Sequence, residues 1–284
     1  MPAPVVLITG TSSGIGLATA VAAAGGGATV VATMRDTAKA GPLRDAAASA
    51  GVRVDIRALD VTDAAAVVAV VDGVVADHGR LDVLVNNAGA GHVGTIEQDS
   101  LDAYRATMEV NYFSVVSATK AALPHLRASG GRVVTVSSVG GVVGQPFNEA
   151  YCAAKFAVEG FLESLAPVAA AVGVAVTIVE PGAVVTGFAG NAGVDDATAR
   201  VSGSPYAEAL DGYVQRTIAA FDPAAAQTPE QVAAVIVDVM AASEPPVRVQ
   251  TSERATAFAG VKLGDLDGSR VQAVTRGWIA NAGG

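Results

Sequence analysis

The chain has 284 residues, of which 51% are hydrophobic and 16% charged, so a large core can form and disorder is not expected. A formal net charge of −9 argues against a nucleic-acid partner, because phosphates are neutralised by Lys and Arg. The single cysteine, Cys152, excludes an internal disulfide and fits a reducing compartment.

No charged side chain occurs from Met1 to Met34, and Ala22-Ala23-Ala24 has the look of a cleavage site. A signal peptide nevertheless lacks its positive n-region here, and polar residues from Thr9 to Gly14 break the apolar run. A membrane span fails for the same reason, since roughly 20 apolar residues are needed. The other uncharged run, 164–179, contains Pro167 and Gly173 and reads as a helix end followed by a strand. A soluble, cytoplasmic protein without a membrane span is expected.

Short β-branched runs at 5–9, 29–33, 52–59, 83–86, 132–137 and 174–179 alternate with Ala-rich stretches at 15–24, 63–78, 101–129 and 151–172. The runs are nearly continuous in apolar character, as strands covered on both faces must be. Asp63 and either Asp99 or Ser100 suit helix N-caps. Such alternation predicts an α/β fold, a doubly wound parallel sheet of the Rossmann type. Thr228-Pro229-Glu230-Gln231 opens a further helix with cap, first-turn Pro and capping Gln, and 247–251 reads as a last strand. Residues 183–227 are Gly-, Ala- and Asp-rich with weak periodicity and are expected to form a mobile lid. A C-terminal extension of unassigned role follows at 253–284. The whole chain, 1–284, reads as one domain.

Gly10-Thr11-Ser12-Ser13-Gly14-Ile15-Gly16 follows the first strand and opens the first helix. Glycines let a backbone approach a pyrophosphate, and a helix N-terminus offers free N–H groups and a positive dipole end. The spacing is G-x-x-x-G-x-G rather than G-x-G-x-x-G, and an ordinary turn is the bland alternative; the place between strand and helix favours a nucleotide. The second strand ends Met34-Arg35-Asp36. Met34 stands where an acid would hold the ribose of NAD, and Arg35 suits the 2′-phosphate of NADP. NADP(H) is therefore expected ahead of NAD(H), against the reading in which Arg35 is merely solvated and Asp36 caps a turn.

Tyr151 and Lys155 are four apart in a helical segment and so share a face. A phenol titrates near about 10, too high for a neutral-pH proton shuttle, and a neighbouring ammonium favours its ionised form. Ser138 follows the strand at 132–137, at the end where open α/β sheets bind ligands.

Thr9-Gly10-x-x-x-Gly14-x-Gly16, Asn86-Asn87-Ala88-Gly89, Asn111, Ser138, Tyr151-x-x-x-Lys155, Pro181-Gly182 and Thr186 together resemble the ordered motifs of the short-chain dehydrogenase/reductase family. The resemblance runs from Val5 to about Gly190. It implies a catalytic tetrad. In it Tyr151 is the general acid/base and Ser138 positions the substrate oxygen. Lys155 holds the nicotinamide ribose and lowers the Tyr151 pKa, and Asn111 supports a water relay. It further implies cofactor contacts from Gly10, Ser12, Ser13, Gly14, Ile15, Gly16, Arg35, Asp60, Val61, Asn86, Ala88, Gly89, Tyr151, Lys155, Pro181, Gly182, Val184 and Thr186.

The runs Ala32-Thr33-Met34-Arg35-Asp36, Gly144-Gln145-Pro146-Phe147-Asn148, Lys155-Phe156-Ala157-x-Glu159-Gly160 and Thr251-Ser252-Glu253-Arg254 are similar to one branch, that of 17β-hydroxysteroid dehydrogenase type 1 and the retinol dehydrogenases. That branch implies NADP(H), a bulky lipophilic alcohol or ketone, and substrate contacts from Ser138, Gln145, Asn148 and Tyr151. The lid histidine of steroid-specific members has no counterpart, since His78, His92 and His125 all precede the lid. The family also implies pairing of subunits through 101–129 and 151–172, hence a homodimer or homotetramer.

Cys152 reads as a small buried helix residue, and Trp278 as a packing residue of the extension. No His/Cys/Asp spacing suggests a metal. The leading function is hydride transfer between NADP(H) and a lipophilic ketone or secondary alcohol. The alternatives are a general carbonyl or 3-ketoacyl reductase and a catalytically silent dinucleotide-binding regulator.

Overall fold

The computed structural model describes residues 2–188 and 190–280, so position 189 of the expected lid and 281–284 of the expected extension lie outside the described residues. Seven parallel strands form one sheet: β1 (Val5–Thr9), β2 (Thr29–Met34), β3 (Asp55–Ala58), β4 (Val83–Asn86), β5 (Arg132–Val136), β6 (Ala175–Glu180) and β7 (Arg248–Gln250). Their order is β3-β2-β1-β4-β5-β6-β7, so the winding reverses between β1 and β4. Ligands of open α/β sheets bind at the strand C-termini beside that reversal.

Side chains alternate across the strands. Val5 and Leu7 enter a core shared with α3 (Ala64–His78), α5 (Ser114–Ser129) and α6 (Glu149–Ala170). Val6 and Ile8 enter the opposite core, shared with α1 (Gly14–Gly25), α2 (Gly41–Ser49) and α9 (Pro229–Ala241). Each buried Val or Leu contributes about 1.5–3 kcal/mol of transfer free energy, which makes this sandwich a stiff platform.

Several expected bounds shift for local reasons. The third strand shortens from 52–59 because Val52 N closes the end of α2 on Ala47 O at 3.0 Å. Helix α2 itself had no sequence signal beyond Pro42 in its first turn. Ser100, not Asp99, caps α4 (Leu101–Met108), and a π turn at Glu109–Phe113 divides α4 from α5. Thr228 and Gln231 form the expected capping box of α9.

The stretch expected to be weakly structured holds two helices, α7 (Val194–Val201) and α8 (Ala207–Ala220). Their apolar residues Ala197, Val201, Leu210 and Tyr213 pack on Val93 and Phe147, burial that local periodicity does not reveal. The extension is helical as well, as α10 (Glu253–Leu263) and α11 (Ser269–Ile279). Trp278 stacks on Phe258 of α10 at 5.5 Å and lies 4.5 Å from the Arg216 guanidinium of α8, so the extension braces the α7–α8 segment.

Candidate active site

The loop after β1 is built by close approach. Gly10 has φ +71°, and a Cβ there would lie 2.7 Å from Ala88 Cα. A Cβ on Gly16 would collide with both Asn87 Nδ2 and Gly10 O. Asn87 fastens the loop to β4, donating from Nδ2 to Thr9 O at 2.9 Å and Gly10 O at 2.8 Å. Thr9 Oγ1 accepts from Asn87 N and Ala88 N, each at 3.0 Å. Ser13 caps α1 in extended conformation without a side-chain hydrogen bond. The Ser12, Ser13, Gly14 and Ile15 end of α1 thus keeps its N–H groups for an anion, and these residues fit a pyrophosphate.

Arg35 is exposed just past β2, whereas Met34 is buried in the α1–α2 core. Asp36 turns away: its Oδ1 accepts from Ala38 N at 2.9 Å. Among the described residues Arg35 forms no ion pair. Asp60 Oδ1 accepts from Thr62 N at 3.0 Å and Thr62 Oγ1 at 2.7 Å. Those bonds, with the Arg35 charge as a smaller influence, hold its carboxyl below the usual range. Arg35 therefore lies near enough to Asp60 for its charge to act on that carboxyl, with Val61 partly buried against the core.

Asn86 does not present its side chain to this groove. Its amide donates to Thr119 Oγ1 and Thr135 Oγ1, both at 3.2 Å, inside the core. Val184 is likewise buried in the core, and its backbone pairs with Gln227. Any cofactor contact from either is left to the main chain. Thr186 closes the groove from the far side, since a Cβ on Gly14 would lie 3.0 Å from its methyl. Pro181 O accepts from Val139 N at 2.9 Å, which joins the Pro181-Gly182 turn to the Ser138 loop.

The four tetrad residues converge at the ends of β4 and β5. Ser138 Oγ accepts from Gly140 N at 3.0 Å and lies beside the Tyr151 ring around Gly140, where it acts to lower the phenol pKa. Lys155 is buried, donates to Val136 O at 3.1 Å, and its Nζ lies 5.9 Å from the Tyr151 ring centroid. Asn111, on the π turn, donates to Ala90 O at 2.9 Å and Thr107 O at 3.0 Å. A Cβ on Gly89 would lie 2.9 Å from Asn111 Oδ1 and 3.6 Å from Lys155 Nζ, so Gly89 is the space between the two.

Burial pushes the Tyr151 phenol up, and the Ser138 hydrogen bond only partly opposes it. Burial also pushes Lys155 down to about 8, with the Glu159 carboxylate acting in the other direction. The sequence expectation that Lys155 brings Tyr151 into the neutral range is not met in the cofactor-free site. Desolvation is the largest influence on the phenol and Lys155 is not among the others, so Tyr151 is the protonated, acid form.

Of the expected substrate contacts, Gln145 borders the Ser138–Tyr151 pair across Gly140, where a Cβ would lie 3.3 Å from Gln145 Nε2 and from Tyr151 Cε1. Asn148 is engaged elsewhere, donating to Pro146 O at 2.8 Å and Tyr213 OH at 2.6 Å, so it ties α8 to the start of α6. Sequence reasoning missed Phe188, whose ring meets Tyr151 edge-on at 5.6 Å. It missed Asp99 too, whose side chain is 2% exposed and pairs with Arg200 of α7 at 3.1 Å. An aromatic two residues past Thr186 was the available signal for the first; the second has none. Cys152 is buried with its thiol pushed up to about 12, which makes it inert.

Among the described residues no group of three or more His, Cys, Asp or Glu is placed to hold a metal, and no helix is long and apolar enough to cross a membrane. The family pattern described as short chain dehydrogenase matches residues 4–197. Retinol dehydrogenase 8 of Bos taurus is 41% identical over 272 residues, covering 93% of this chain and 86% of that protein. The 17-beta-hydroxysteroid dehydrogenase type 1 of Homo sapiens is 38% identical over 287 residues, covering 95% and 84%. A short-chain dehydrogenase structure from Streptomyces avermitilis superposes with a TM-score of 0.74 at 32% identity, over 97% of this chain and 98% of that one.

Proposed function

The chain belongs to the short-chain dehydrogenase family, and from that premise we propose that it reduces a lipophilic ketone, or oxidises the matching secondary alcohol, with NADP(H). Family membership makes it an oxidoreductase of alcohol or ketone carbons that uses a nicotinamide dinucleotide. The observation that carries the reading is the Ser138 hydroxyl and the Tyr151 ring meeting around Gly140, with Lys155 buried one turn away.

The nicotinamide, when bound, supplies or accepts the hydride. Ser138 Oγ holds the substrate oxygen beside the phenol. Tyr151, kept protonated by its buried setting, donates its proton to that oxygen as negative charge develops there. Lys155 carries a positive charge toward the phenol and the cofactor ribose, and Asn111 fixes the π turn and the Ala90 backbone that border it. Arg35 supplies the two-pronged clamp for a 2′-phosphate, and its freedom from Asp36 supports that choice. Phe188, set edge-on to Tyr151, suits a lipophilic substrate. The exposed apolar residues Leu101, Phe113, Phe156 and Val168 on the faces of α4 to α6 support a homodimer or homotetramer.

The test is nicotinamide fluorescence with a panel of steroid, retinoid, short-chain and 3-ketoacyl carbonyl compounds, each with NADPH and NADH. Turnover confined to small or ketoacyl substrates would favour the general reductase. Cofactor binding without turnover of any compound would favour the silent regulator.

A further inference from the structure

One turn beyond Lys155 on α6, Glu159 is buried and faces Glu180, the last residue of β6, which is 0% exposed. Arg248 of β7 reaches both, with Nη2 3.1 Å from Glu159 Oε2 and Nε 2.5 Å from Glu180 Oε1. Gln250 Nε2 donates to Glu180 Oε2 at 2.9 Å. The Ser137 hydroxyl, past the end of β5, faces Glu159, and a Cβ on Gly141 would lie 2.6 Å from Ser137 Oγ and 3.1 Å from Glu159 Oε1. Exposed Glu163 completes the group at 3.2 Å from Arg248 Nη2.

Two adjoining carboxyl groups in a dry interior resist double ionisation, and one proton shared between them removes the repulsion. Burial pushes both upward, Glu180 to about 7. Lys155, 4% exposed, forms no ion pair among the described residues. Tyr151 and Glu159 on its own helix and the Val136 carbonyl of β5 surround it, and the charge that opposes its desolvation is that of Glu159.

We propose that Glu159 is a positioning residue that keeps Lys155 an ammonium, acting from a carboxyl pair in which Glu159 and Glu180 share one proton beside Arg248. One negative charge is then held between two cations, Arg248 and Lys155, on elements that the sheet fixes. The proposal rests on the reading of Lys155 as the partner of Tyr151.

The chain has four lysines, Lys39, Lys120, Lys155 and Lys262, so carbon-13 labelling of lysine Cε lets each be titrated by NMR in cofactor-free protein, with Lys155→Met assigning the signal. Wild-type Lys155 should titrate near about 8. Glu159→Gln should lower that value by roughly 1 unit, whereas Glu159→Asp, which keeps the charge, and Glu163→Gln should shift it much less. An unchanged Lys155 in folded Glu159→Gln, or equal shifts in the Gln and Asp variants, would overturn the proposal. A second arm needs no Glu159 variant: wild type should keep a protonated-carboxyl infrared band near neutral pH that Glu180→Gln loses, and a wild type without the band would also overturn it. Neither readout involves turnover, so a barren ketone panel would sink the functional reading while leaving both results interpretable.

Discussion

Lys155 Nζ lies 5.9 Å from the centroid of the Tyr151 ring, one helical turn away on the same face of α6. On the proposed reading the phenol is the proton donor. Tyr151→Phe should remove general acid catalysis while keeping fold and cofactor affinity, with kcat falling by ~10²–10⁴. Near-normal turnover in steady-state assays of the variant would disprove the role.

Arg35 stands clear of Asp36, whose carboxylate is held by Ala38 N at 2.9 Å. Arg35→Ala should weaken NADPH binding by roughly one to two orders of magnitude, since charge-assisted hydrogen bonds contribute ~1.5–3 kcal/mol each. NADH binding should change little. Saturation curves with both cofactors on wild type and variant decide it; equal losses, or a wild type that prefers NADH, would contradict the clamp.

Gly16 has no room for a side chain, because Asn87 Nδ2 and Gly10 O already fill the place a Cβ would take. Gly16→Ala should force the loop off β4, lowering stability by about 1–3 kcal/mol and weakening NADPH and NADH alike. Denaturant melts and cofactor titrations check this, and an unperturbed variant would mean that the loop yields easily.

The folded-state pKa of Glu180 is raised from 4.5 to about 7, chiefly by burial. Between those values the native state holds more protons than the unfolded chain, so stability from this group falls as pH rises. Lys155 has the opposite sign above about 8, where the unfolded chain holds the extra proton and stability recovers with pH. Relative to Glu180→Gln, wild type should therefore lose a few °C of Tm between acid and neutral pH. Parallel Tm curves for the two proteins would rule out a buried titrating Glu180.

Arg200 of α7 pairs at 3.1 Å with Asp99, whose side chain is only 2% exposed, and His92 Nε2 lies 3.5 Å from the same carboxylate. We expect this pair to latch the 183–227 segment over the site. Arg200→Ala should leave Asp99 with His92 alone and speed hydrogen exchange in α7 on the order of tenfold, leaving the strands unchanged. Unaltered exchange in α7 would remove the latch.

The alternation of strands and helices was legible in the sequence because strands covered on both faces must be continuous apolar runs, a purely local constraint. So were the Gly10–Gly16 loop, the Thr228 capping box and the shared helix face of Tyr151 and Lys155, each set within a few residues. Tertiary structure alone decided where polar side chains separated in sequence would meet. Asn87 is bonded to Thr9 and Gly10, more than 70 positions back, and Arg248 to Glu159, 89 positions away. It also turned Asn86 inward to Thr119 and Thr135, and it made α7 and α8 by supplying Val93 and Phe147 as their core. Burial shifts the proton affinity of Tyr151, Lys155 and Glu180, and burial is a property of the closed sheet and its neighbours, which no local pattern along the chain encodes.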